Sequence, residues 1–532
     1  MPVNSSLIPD IISHLIWLPL LYAETHYRFK YFFSRLNKAE PEIIADCPSR
    51  IRKGELLPVL VIIKDADRYP VNLIEVDVYH ESILLGRHKL DRSIQNKYKE
   101  IILPVPSQDI PTGICYLQVK ITYQFNEKIR VCWNDNHRGT THAPFPVYIS
   151  GDTFPRLDGC LYGEPHAHTI YTSDQVEFGA SLGASVRLGQ AMELDFFCAT
   201  DHSYDMDDLP DNYLQNDPDL QKWKQFWQET EEHNKNNDFQ IIPGEEVTVR
   251  NSYNRNVHCL VYNSRTFFHG TGDSAEKWFR TRSELSIPEL LNRLSTDEMA
   301  FAAHPGEKPP FLQWLLIKRG YWQQQDCEDD RLHGLQFINN SGSTVDNQGK
   351  QLWIALLLRG FRRIGLAGND AHGNFARFRQ IGIPFLSMRE NYLHLFGQWR
   401  TGVYMETEKR TMAGILNAIR RGTCFMTNGP ALSLMAKDDQ GWQQSGKQLK
   451  NITRIKLQAR SSPEFSALKS VKIFIGFTGS KHESNLYQDD LDQQHYEYQK
   501  EIDFLPEKRN GYFRAEIVTQ SGRMALSNPV WF

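Results

Sequence analysis

The sequence predicts an α/β protein: a distorted (β/α)7 barrel with a β-sandwich-like domain on each side. Three observations lead to this prediction. The 532 residues are more than a single hydrophobic core usually supports. From about residue 155, short apolar runs alternate with helical segments over roughly 230 residues, as in a barrel of parallel strands. Before and after this region, apolar and polar residues alternate with a period of two, which is typical of antiparallel strands with one buried face.

Residues 1–41 are predicted to form a helical segment. The run LIPDIISHLIWLPLLYAE is apolar but contains Pro9, Asp10 and His14. It is too short and too interrupted to span a bilayer, and it lacks the flanking residues of a signal peptide. The favoured interpretation is an amphipathic helix packed on the next domain, and the alternative is a peripheral membrane contact.

The rest of the chain divides into three predicted domains. Residues 42–152 form a β domain, in which LIEVDVYH and CYLQVKITY alternate in polarity. Residues 153–429 form the barrel, with about seven apolar runs read as strands. Residues 430–532 form a second β domain, where RIKLQAR alternates in the same way. No glycine-rich nucleotide loop follows a barrel run, which argues against a dinucleotide-binding fold.

Charge and cysteine content limit the function classes. The net charge is −4 and the pI about 6.5, so we expect no nucleic-acid partner. The eight cysteines are scattered and form no CxxC pair. This pattern is typical of reduced, buried cysteines in a cytoplasmic protein. The sequence makes no prediction of the oligomeric state.

Potential metal ligands lie at or near the ends of six apolar runs of the central region. They are His166 and His168 in CLYGEPHAH, Asp201 and His202 after DFFCAT, Glu245 and Glu246 after FQIIPG, His258 in NVHCLVY, His304 after MAFAA, and Asp370 and His372 after RIGLAGN. Because strand ends converge on one rim of a β/α barrel, these side chains are expected to meet.

The spacing and type of these residues favour a catalytic metal centre. Residues i and i+2 of an extended chain point the same way, so His166 and His168 can face one ion, as can Asp370 and His372. Imidazole and carboxylate ligands suit Zn²⁺, Mn²⁺ or Fe²⁺. The lack of thiolate ligands argues against a closed structural zinc site.

The order of these motifs resembles the polymerase and histidinol phosphatase superfamily of metal-dependent phosphoesterases. The series is HxH at 166–168, SD at 173–174, TDH at 200–202, GxE at 244–246, a strand histidine at 258, AHP at 303–305 and DAH at 370–372. The flanking segments DNHRGTTHAPFPV, RRGTCFMTNGP and ALSNPVWF look like the branch that includes carbaryl hydrolase.

The resemblance implies a cluster of two to three divalent ions: zinc, manganese or iron. It assigns His166, His168, Glu246 and Asp370 to the first ion, Glu246, His258 and His304 to the second, and Asp174, His202 and His372 to the third. Within GEE, the GxE spacing of the family selects Glu246 over Glu245.

The implied activity is hydrolysis of a small-molecule phosphomonoester or phosphodiester by a hydroxide that bridges two ions. The predicted catalytic residues are Asp201, His202 and Glu246, with Asp201 orienting a ligand or moving a proton. Tyr204 follows the TDH motif and is expected to line the pocket.

Basic residues near the motif ends are candidates for binding an anionic substrate. They are Arg250, Arg255, Lys308, Arg377 and Arg379, of which Arg250 and Arg377 are the predicted pair. A plain surface role is the alternative for each of them.

Two other functions compete with phosphoester hydrolysis. The same metal centre suits hydrolysis of a carboxyl ester, carbamate or amide, which the carbaryl-hydrolase-like flanks favour. Alternatively, the chain is a binding or assembly protein in which the metals are structural.

Overall fold

The computed structural model describes residues 40–137, 142–172, 179–209, 212–236, 238–272, 281–309, 311–339, 347–377, 394–405, 410–505 and 510–532. Asp174 and Arg379 lie outside these residues, as does nearly all of the predicted N-terminal segment. None of the helices in the described part of the chain has the length and apolar character needed to cross a bilayer.

The N-terminal part is a sandwich of two antiparallel-rich sheets. Its strands are β1 (Glu42–Asp46), β2 (Arg50–Arg52), β3 (Leu56–Lys64), β4 (Val71–His80), β5 (Ile83–Ile94), β6 (Tyr98–Pro106), β7 (Gly113–Phe125), β8 (Lys128–Trp133) and β9 (Phe145–Ser150). One sheet has the order β1-β3-β6, and the other has the order β2-β9-β7-β4-β5 with β8 beside β7. Alternate residues of β4 and β7, such as Val76 and Val119, bury themselves in the core between the sheets.

The central part contains strands of both directions and most of the helices. Its strands are β10 (Cys160–His168), β11 (Phe196–Ala199), β12 (Asp208–Leu209), β13 (Asn212–Asn216), β14 (Gln240–Arg250), β15 (Asn256–Tyr262), β16 (Met299–Ala303), β17 (Gly334–Ile338), β18 (Ile364–Ala367), β19 (Ala371–His372), β20 (Arg400–Tyr404) and β21 (Cys424–Thr427). The helices are α1 (Leu182–Ala191), α2 (Ser203–Met206), α3 (Gln221–Asn236), α4 (Ile287–Leu291), α5 (Phe311–Leu316), α6 (Asn347–Leu358) and α7 (Met412–Arg421), with a 3₁₀ turn at Gln324–Cys327.

The C-terminal part continues the central sheet and adds a small sheet against it. Its strands are β22 (Ala431–Asp438), β23 (Gly441–Gln444), β24 (Arg454–Arg460), β25 (Leu468–Phe477), β26 (Ser484–His495), β27 (Glu497–Asp503), β28 (Gly511–Thr519), β29 (Met524–Ser527) and β30 (Val530–Trp531), and Pro463–Phe465 is a 3₁₀ turn. The small sheet has the order β23-β22-β24-β27. Leu457 of that sheet and Ile473 of the large sheet share one core.

One sheet of 15 strands joins the central and C-terminal parts. Its order is β18-β17-β16-β15-β14-β11-β10-β20-β21-β29-β28-β25-β26, with β19 beside β10 and β30 beside β28. Strand β29 pairs with β21, and the side chain of Asn528 bonds to the backbone of Gly365 in β18 and Cys424 in β21. The central part and the C-terminal strands therefore share backbone hydrogen bonds.

The predicted fold class, an α/β protein built on a (β/α)7 barrel, is wrong. Strands account for 46% of the structure and helices for 15%, so the protein is mainly β. Strands β14 and β15 form an antiparallel hairpin, and β20 runs antiparallel to β10. The direction of a short apolar run cannot be read from its composition. Residues 251–255 join β14 to β15, which is too short for a helical crossover of about a dozen residues.

Six strands still present their carboxyl ends at one edge of the sheet. Strands β10, β11 and β14 are parallel neighbours, and so are β16, β17 and β18. Because β15 is antiparallel to both β14 and β16, the two groups run in the same direction. This edge carries the predicted ligands.

Candidate metal centre

Eight of the nine predicted metal ligands converge at this edge of the central sheet. They are His166 and His168 at the end of β10, His202 after β11, Glu246 in β14, His258 in β15, His304 after β16, and Asp370 and His372 after β18. The ninth, Asp174, lies outside the described residues.

The carboxylate of Glu246 is at the centre of the cluster. Its Oε1 lies 2.8 Å from Nδ1 of His258, 3.1 Å from Nε2 of His304 and 3.4 Å from Nε2 of His166, and its Oε2 lies 3.1 Å from Nδ1 of His202 and 3.4 Å from Nε2 of His168. Five imidazoles thus surround one fully buried carboxylate.

Asp370 and His372 close the opposite side of the cluster. Oδ1 of Asp370 lies 3.3 Å from Nε2 of His166 and 3.0 Å from Nε2 of His168. The ring of His372 stacks on that of His168, with centroids 4.1 Å apart and planes 4° apart. Three sets of ligand atoms each fit within 4.8 Å: His166, His168, Glu246 and Asp370; His202, Glu246 and His258; and His168, His202 and His372.

These residues fit divalent ions. Among the described residues, Nε2 of His166, Nδ1 of His202 and Oε2 of Glu246 are buried and make no hydrogen bond. Two ligands that hold one ion at about 2.1 Å in tetrahedral geometry lie about 3.4 Å from each other. The separations from Glu246 to His166 and His168 have that length, and those to His202, His258 and His304 are shorter, at 2.8 to 3.1 Å. The donor set of imidazoles and carboxylates suits zinc, manganese or iron.

The electrostatics of the cluster keep its acids ionised. Burial alone would raise the pKa of Glu246, but His258 and His166 hold it well below its usual range. Burial, together with the neighbouring His168, lowers the pKa of His202 to about 4. Burial opposes protonation of His166 and His168, but Asp370 and Glu246 raise the pKa of both rings. Ionised carboxylates and neutral imidazoles are the forms that bind metal ions, so a bound ion would replace protons at these two histidines.

Two ligand positions have strained backbones. His304 has φ 31° and Asp370 has φ 54°, both in the left-handed region that residues other than glycine seldom adopt. Such positions cost about 1–3 kcal/mol each and are held by the surrounding structure, often at functional sites. Here the turn at the end of each strand aims the side chain into the cluster.

Strand alternation separates the two glutamates of GEE. Glu246 faces the histidines, whereas Glu245 points to the other face of β14, where it accepts hydrogen bonds from Ser203 Oγ at 3.0 Å and the backbone N–H of Phe268 at 3.2 Å. The structure therefore brings only Glu246 of this pair to the cluster.

Asp201 holds the loop that follows His168. Its carboxylate accepts the backbone N–H groups of Thr169 at 2.7 Å and Thr172 at 2.9 Å, and the Thr169 hydroxyl at 2.9 Å. Both oxygens are therefore engaged, which favours the orienting role over proton transfer. The ring of Tyr204 stacks on that of His202 at 4.6 Å.

Glu164 is a buried acid of the site that the sequence analysis missed. It accepts backbone N–H groups from His166 at 3.1 Å, Asn369 at 2.9 Å and Gly397 at 3.0 Å, and it also accepts the Asn369 side-chain amide. Burial raises its pKa to about 7, against the opposing effect of these hydrogen bonds. Glu164 ties the segment of His166 to that of Asp370.

Gln336 is a second missed residue, a polar side chain in the apolar run GLQFIN. Its Oε1 accepts the backbone N–H of His304 at 3.2 Å and lies 3.1 Å from Nδ1 of His166. Because Oε1 is an acceptor, His166 donates through Nδ1, which leaves Nε2 as the ring atom that faces Glu246 and Asp370. The sequence signal was a glutamine within the apolar run GLQFIN, and the structure shows that this side chain is fully buried.

We expect Gln336→Leu to weaken metal binding by about 10- to 100-fold, because the ring of His166 loses the acceptor that orients it. The affinity is measured by competition with a chromophoric zinc chelator. Gln324→Leu makes the same chemical change at an exposed position and serves as the control. Equal affinity in a folded Gln336→Leu variant would contradict the orienting role.

The predicted substrate-binding arginines contact residues outside the candidate ligand set. Arg250 is 3.2 Å from Glu289, and the guanidinium of the buried Arg377 lies over the ring of Phe145 at 4.6 Å. Arg255 lies over the ring of Trp314 at 4.0 Å. Their role in substrate binding stays a prediction.

Other cations lie beside the ligands. Nη2 of Arg319 is 3.5 Å from Nδ1 of His258. Arg319 and Lys308 line a cavity of about 100 Å³ together with His258 and His304. Lys308 was among the sequence candidates, whereas Arg319 was missed because it follows a segment with no ligand motif.

No family model and no curated protein matches this chain. Solved structures that are similar to it include a beta-glucuronidase from glycoside hydrolase family 2 (9% identity, TM-score 0.19, 94% of this chain and 50% of that one) and a beta-D-mannosidase from Dictyoglomus thermophilum (8% identity, TM-score 0.24, 92% and 66%). A putative beta-galactosidase from Bacteroides fragilis gives 8% identity and a TM-score of 0.18, covering 92% and 73%. This chain spans half the length of the first structure, and none of these similarities bears on its activity.

Proposed function

We propose that this chain is a metal-dependent hydrolase that cleaves phosphoesters of a small molecule. The observation that carries the proposal is the convergence of five histidines on the buried carboxylate of Glu246. The order of the ligand motifs, which resembles the polymerase and histidinol phosphatase superfamily, supports the same activity. The proposal does not require the barrel fold of that superfamily.

Two to three divalent ions would be held by the clustered residues. His166, His168, Glu246 and Asp370 would hold one ion, Glu246, His258 and His304 a second, and His202 and His372, with Asp174, a third. When bound, such ions supply a nucleophile from water near neutral pH and offset negative charge on the phosphoryl oxygens.

The protein's own contribution is to place these ligands in advance. The two oxygens of Glu246 face different histidines: Oε1 is nearest to His258 and His304, which would hold the second ion, and Oε2 lies 3.4 Å from His168, which would hold the first. This arrangement suits a carboxylate shared between ions. Gln336 and Asp201 fix the segments that carry the histidines, so little rearrangement is needed for binding.

The charges beside the cluster favour a phosphoester over a neutral ester or carbamate. Lys308 and Arg319 line the cavity next to His258 and His304, together with one acid, Glu307. Guanidinium and ammonium groups bind phosphate oxygens through charge-assisted hydrogen bonds. A neutral substrate would make no use of them.

The test is a parallel assay of the protein loaded with Mn²⁺ or Zn²⁺. The substrates are nitrophenyl phosphate, bis-nitrophenyl phosphate, nitrophenyl acetate and a naphthyl carbamate, with His202→Ala as the blank. We expect metal-dependent turnover of a phosphoester that the variant lacks. Turnover of the acetate or carbamate alone would replace the proposal with ester or carbamate hydrolysis by the same centre.

The Arg319→Gln variant sharpens this test. We expect it to raise KM for the phosphoester by about tenfold and to leave turnover of nitrophenyl acetate, if any, unchanged. Arg331→Gln, which alters an exposed arginine paired with Asp329, is the matched control. An unchanged KM for the phosphoester would show that Arg319 does not bind the substrate. The charges beside the cluster would then no longer favour a phosphoester.

A further inference from the structure

A second cavity lies where the N-terminal sandwich, the central sheet and the C-terminal part meet. Its volume is about 310 Å³. Apolar side chains form much of its wall, including Ile114, Phe154, Leu395 and Phe465. It shares no lining residue with the cavity beside the metal centre.

Arg400, at the start of β20, lines this cavity and carries an unpaired donor; its guanidinium group lies over the ring of Phe154 at 3.8 Å. The residue is only 2% exposed. Its Nε donates to the carbonyl of Gly397 and its Nη2 to the carbonyl of Met192, both at 2.9 Å. Among the described residues, its Nη1 is buried and has no acceptor. Burial, and the nearby Arg50, lower the pKa of Arg400 to about 9.

Asn428, which follows β21, also lines the cavity and carries a second unpaired donor. Its Oδ1 accepts the backbone N–H of Met524 at 2.7 Å, and this contact fixes the orientation of the amide. Its Nδ2 therefore faces away from Met524, is buried, and has no acceptor in the described part of the chain. Buried amide donors without a partner are rare in folded proteins.

The positive charge of the cavity is not balanced by the two nearby acids. Both oxygens of Glu464 are within 3.0 Å of Nε of Arg50, and Arg50 also pairs with Glu193. Arg400 and Arg523 also line the cavity, and they share the attraction of the same two acids: Glu193 and Glu464 act on Arg400, and Glu464 acts on Arg523. Three guanidinium groups and two carboxylates leave one positive charge unbalanced.

We propose that this cavity binds a small organic anion, whose carboxylate or phosphate group accepts hydrogen bonds from Arg400 and Asn428 and whose apolar body contacts Phe154 and Phe465. The anion supplies the acceptors and the negative charge that these donors lack. The aromatic side chains of the wall contact the apolar part of the ligand, so an inorganic ion binds less tightly than an aromatic acid. Carboxylate and phosphate ligands share this chemistry, and the test separates them.

The test is calorimetric titration of the full-length, metal-loaded protein with benzoate, the non-hydrolysable phenylphosphonate and the neutral benzyl alcohol, in a buffer free of other carboxylates and phosphates. We expect saturable binding of at least one acid and none of the alcohol. Tighter binding of benzoate identifies a carboxylate ligand, and tighter binding of phenylphosphonate identifies a phosphate ligand. Absence of binding by both acids overturns the proposal.

The Asn428→Asp variant locates the binding. It keeps the acceptor for Met524 N–H and replaces the unpaired donor by a negatively charged oxygen of the same size, so folding is expected to be preserved. We expect it to weaken binding of the acid by about tenfold or more through like-charge repulsion. Equal affinity in this variant shows that the acid binds elsewhere, at the metal centre or on the surface, and overturns the proposal.

Two further variants test where the anion binds. Arg523→Gln removes one cation at the rim of the cavity, where a change is easily accommodated, and is expected to weaken binding in the same direction. Arg421→Gln removes a cation from a separate basic groove between α7 and the C-terminal part, and it leaves the affinity unchanged. An effect confined to Arg421→Gln would assign the anion to that groove instead.

Discussion

Replacing Glu246 with glutamine is expected to remove bound metal and to lower kcat/KM for a phosphoester by about a thousandfold or more. The change deletes the charge that faces five imidazoles and turns one oxygen into a donor. Histidines 2.8 to 3.4 Å away then meet an amide that cannot bridge two ions. A thousandfold loss corresponds to about 4 kcal/mol of transition-state stabilisation, within the range that metal centres supply.

Metal content after exhaustive dialysis, measured by mass spectrometry, and steady-state kinetics together check this prediction. Glu245→Gln is the matched control, since the same substitution one residue earlier changes a side chain on the opposite face of β14. A Glu246→Gln variant that kept its metal and its activity would show that this carboxylate is not a ligand. Loss of both properties in Glu245→Gln would mean that disruption of β14 alone explains the effect.

Glu164→Ala is expected to lower the free energy of unfolding by about 3 to 5 kcal/mol. Four hydrogen bonds end on this buried carboxylate, three of them from backbone N–H groups. Alanine leaves these donors buried without acceptors, and each such donor costs about 1–3 kcal/mol. The donors belong to three separate segments, so their loss also loosens the contact between β10 and the turn before Asp370.

Urea unfolding in the presence of a chelator measures this effect without a contribution from bound metal. Glu497→Ala is the control: its side chain is 71% exposed and pairs with Arg460, so the change is expected to stay within about 0.5 kcal/mol. If Glu164→Ala unfolded at the same urea concentration as the unmodified protein, the four hydrogen bonds would contribute nothing to stability.

The candidate ligands could be identified from the sequence through short spacings and through the order of the motifs. In extended chain, HxH places His166 and His168 on one side, and this rule depends on local geometry only, so it holds although the barrel prediction was wrong. Glu246 was selected over Glu245 by the GxE spacing of the family that the sequence resembles, since alternation separates the two glutamates but does not say which of them faces the histidines. The ligands meet because the strands that carry them run in the same direction, whether or not the sheet closes.

The supporting residues could not be predicted in this way. Glu164 lies two positions before His166, but its partners Asn369 and Gly397 follow 205 and 233 positions later. No short sequence spacing identifies a residue whose partners lie so far along the chain. The direction of β15 was missed because its apolar run looks the same in either direction, and only the short connection at 251–255 distinguishes a hairpin from a crossover.

Because β21 pairs with β29, this part of the sheet can be completed only late in the synthesis of the chain. Thr427 pairs with Ala525, and about a hundred residues separate the two strands. At 5–20 residues per second, the ribosome needs about 5 to 20 s to supply the second strand after the first has been made. Throughout that interval the edge of β21 has no native neighbour, and an open edge is where non-native strands attach. We expect newly made chains to depend on chaperones most strongly during this interval, and we expect metal ions to bind after it.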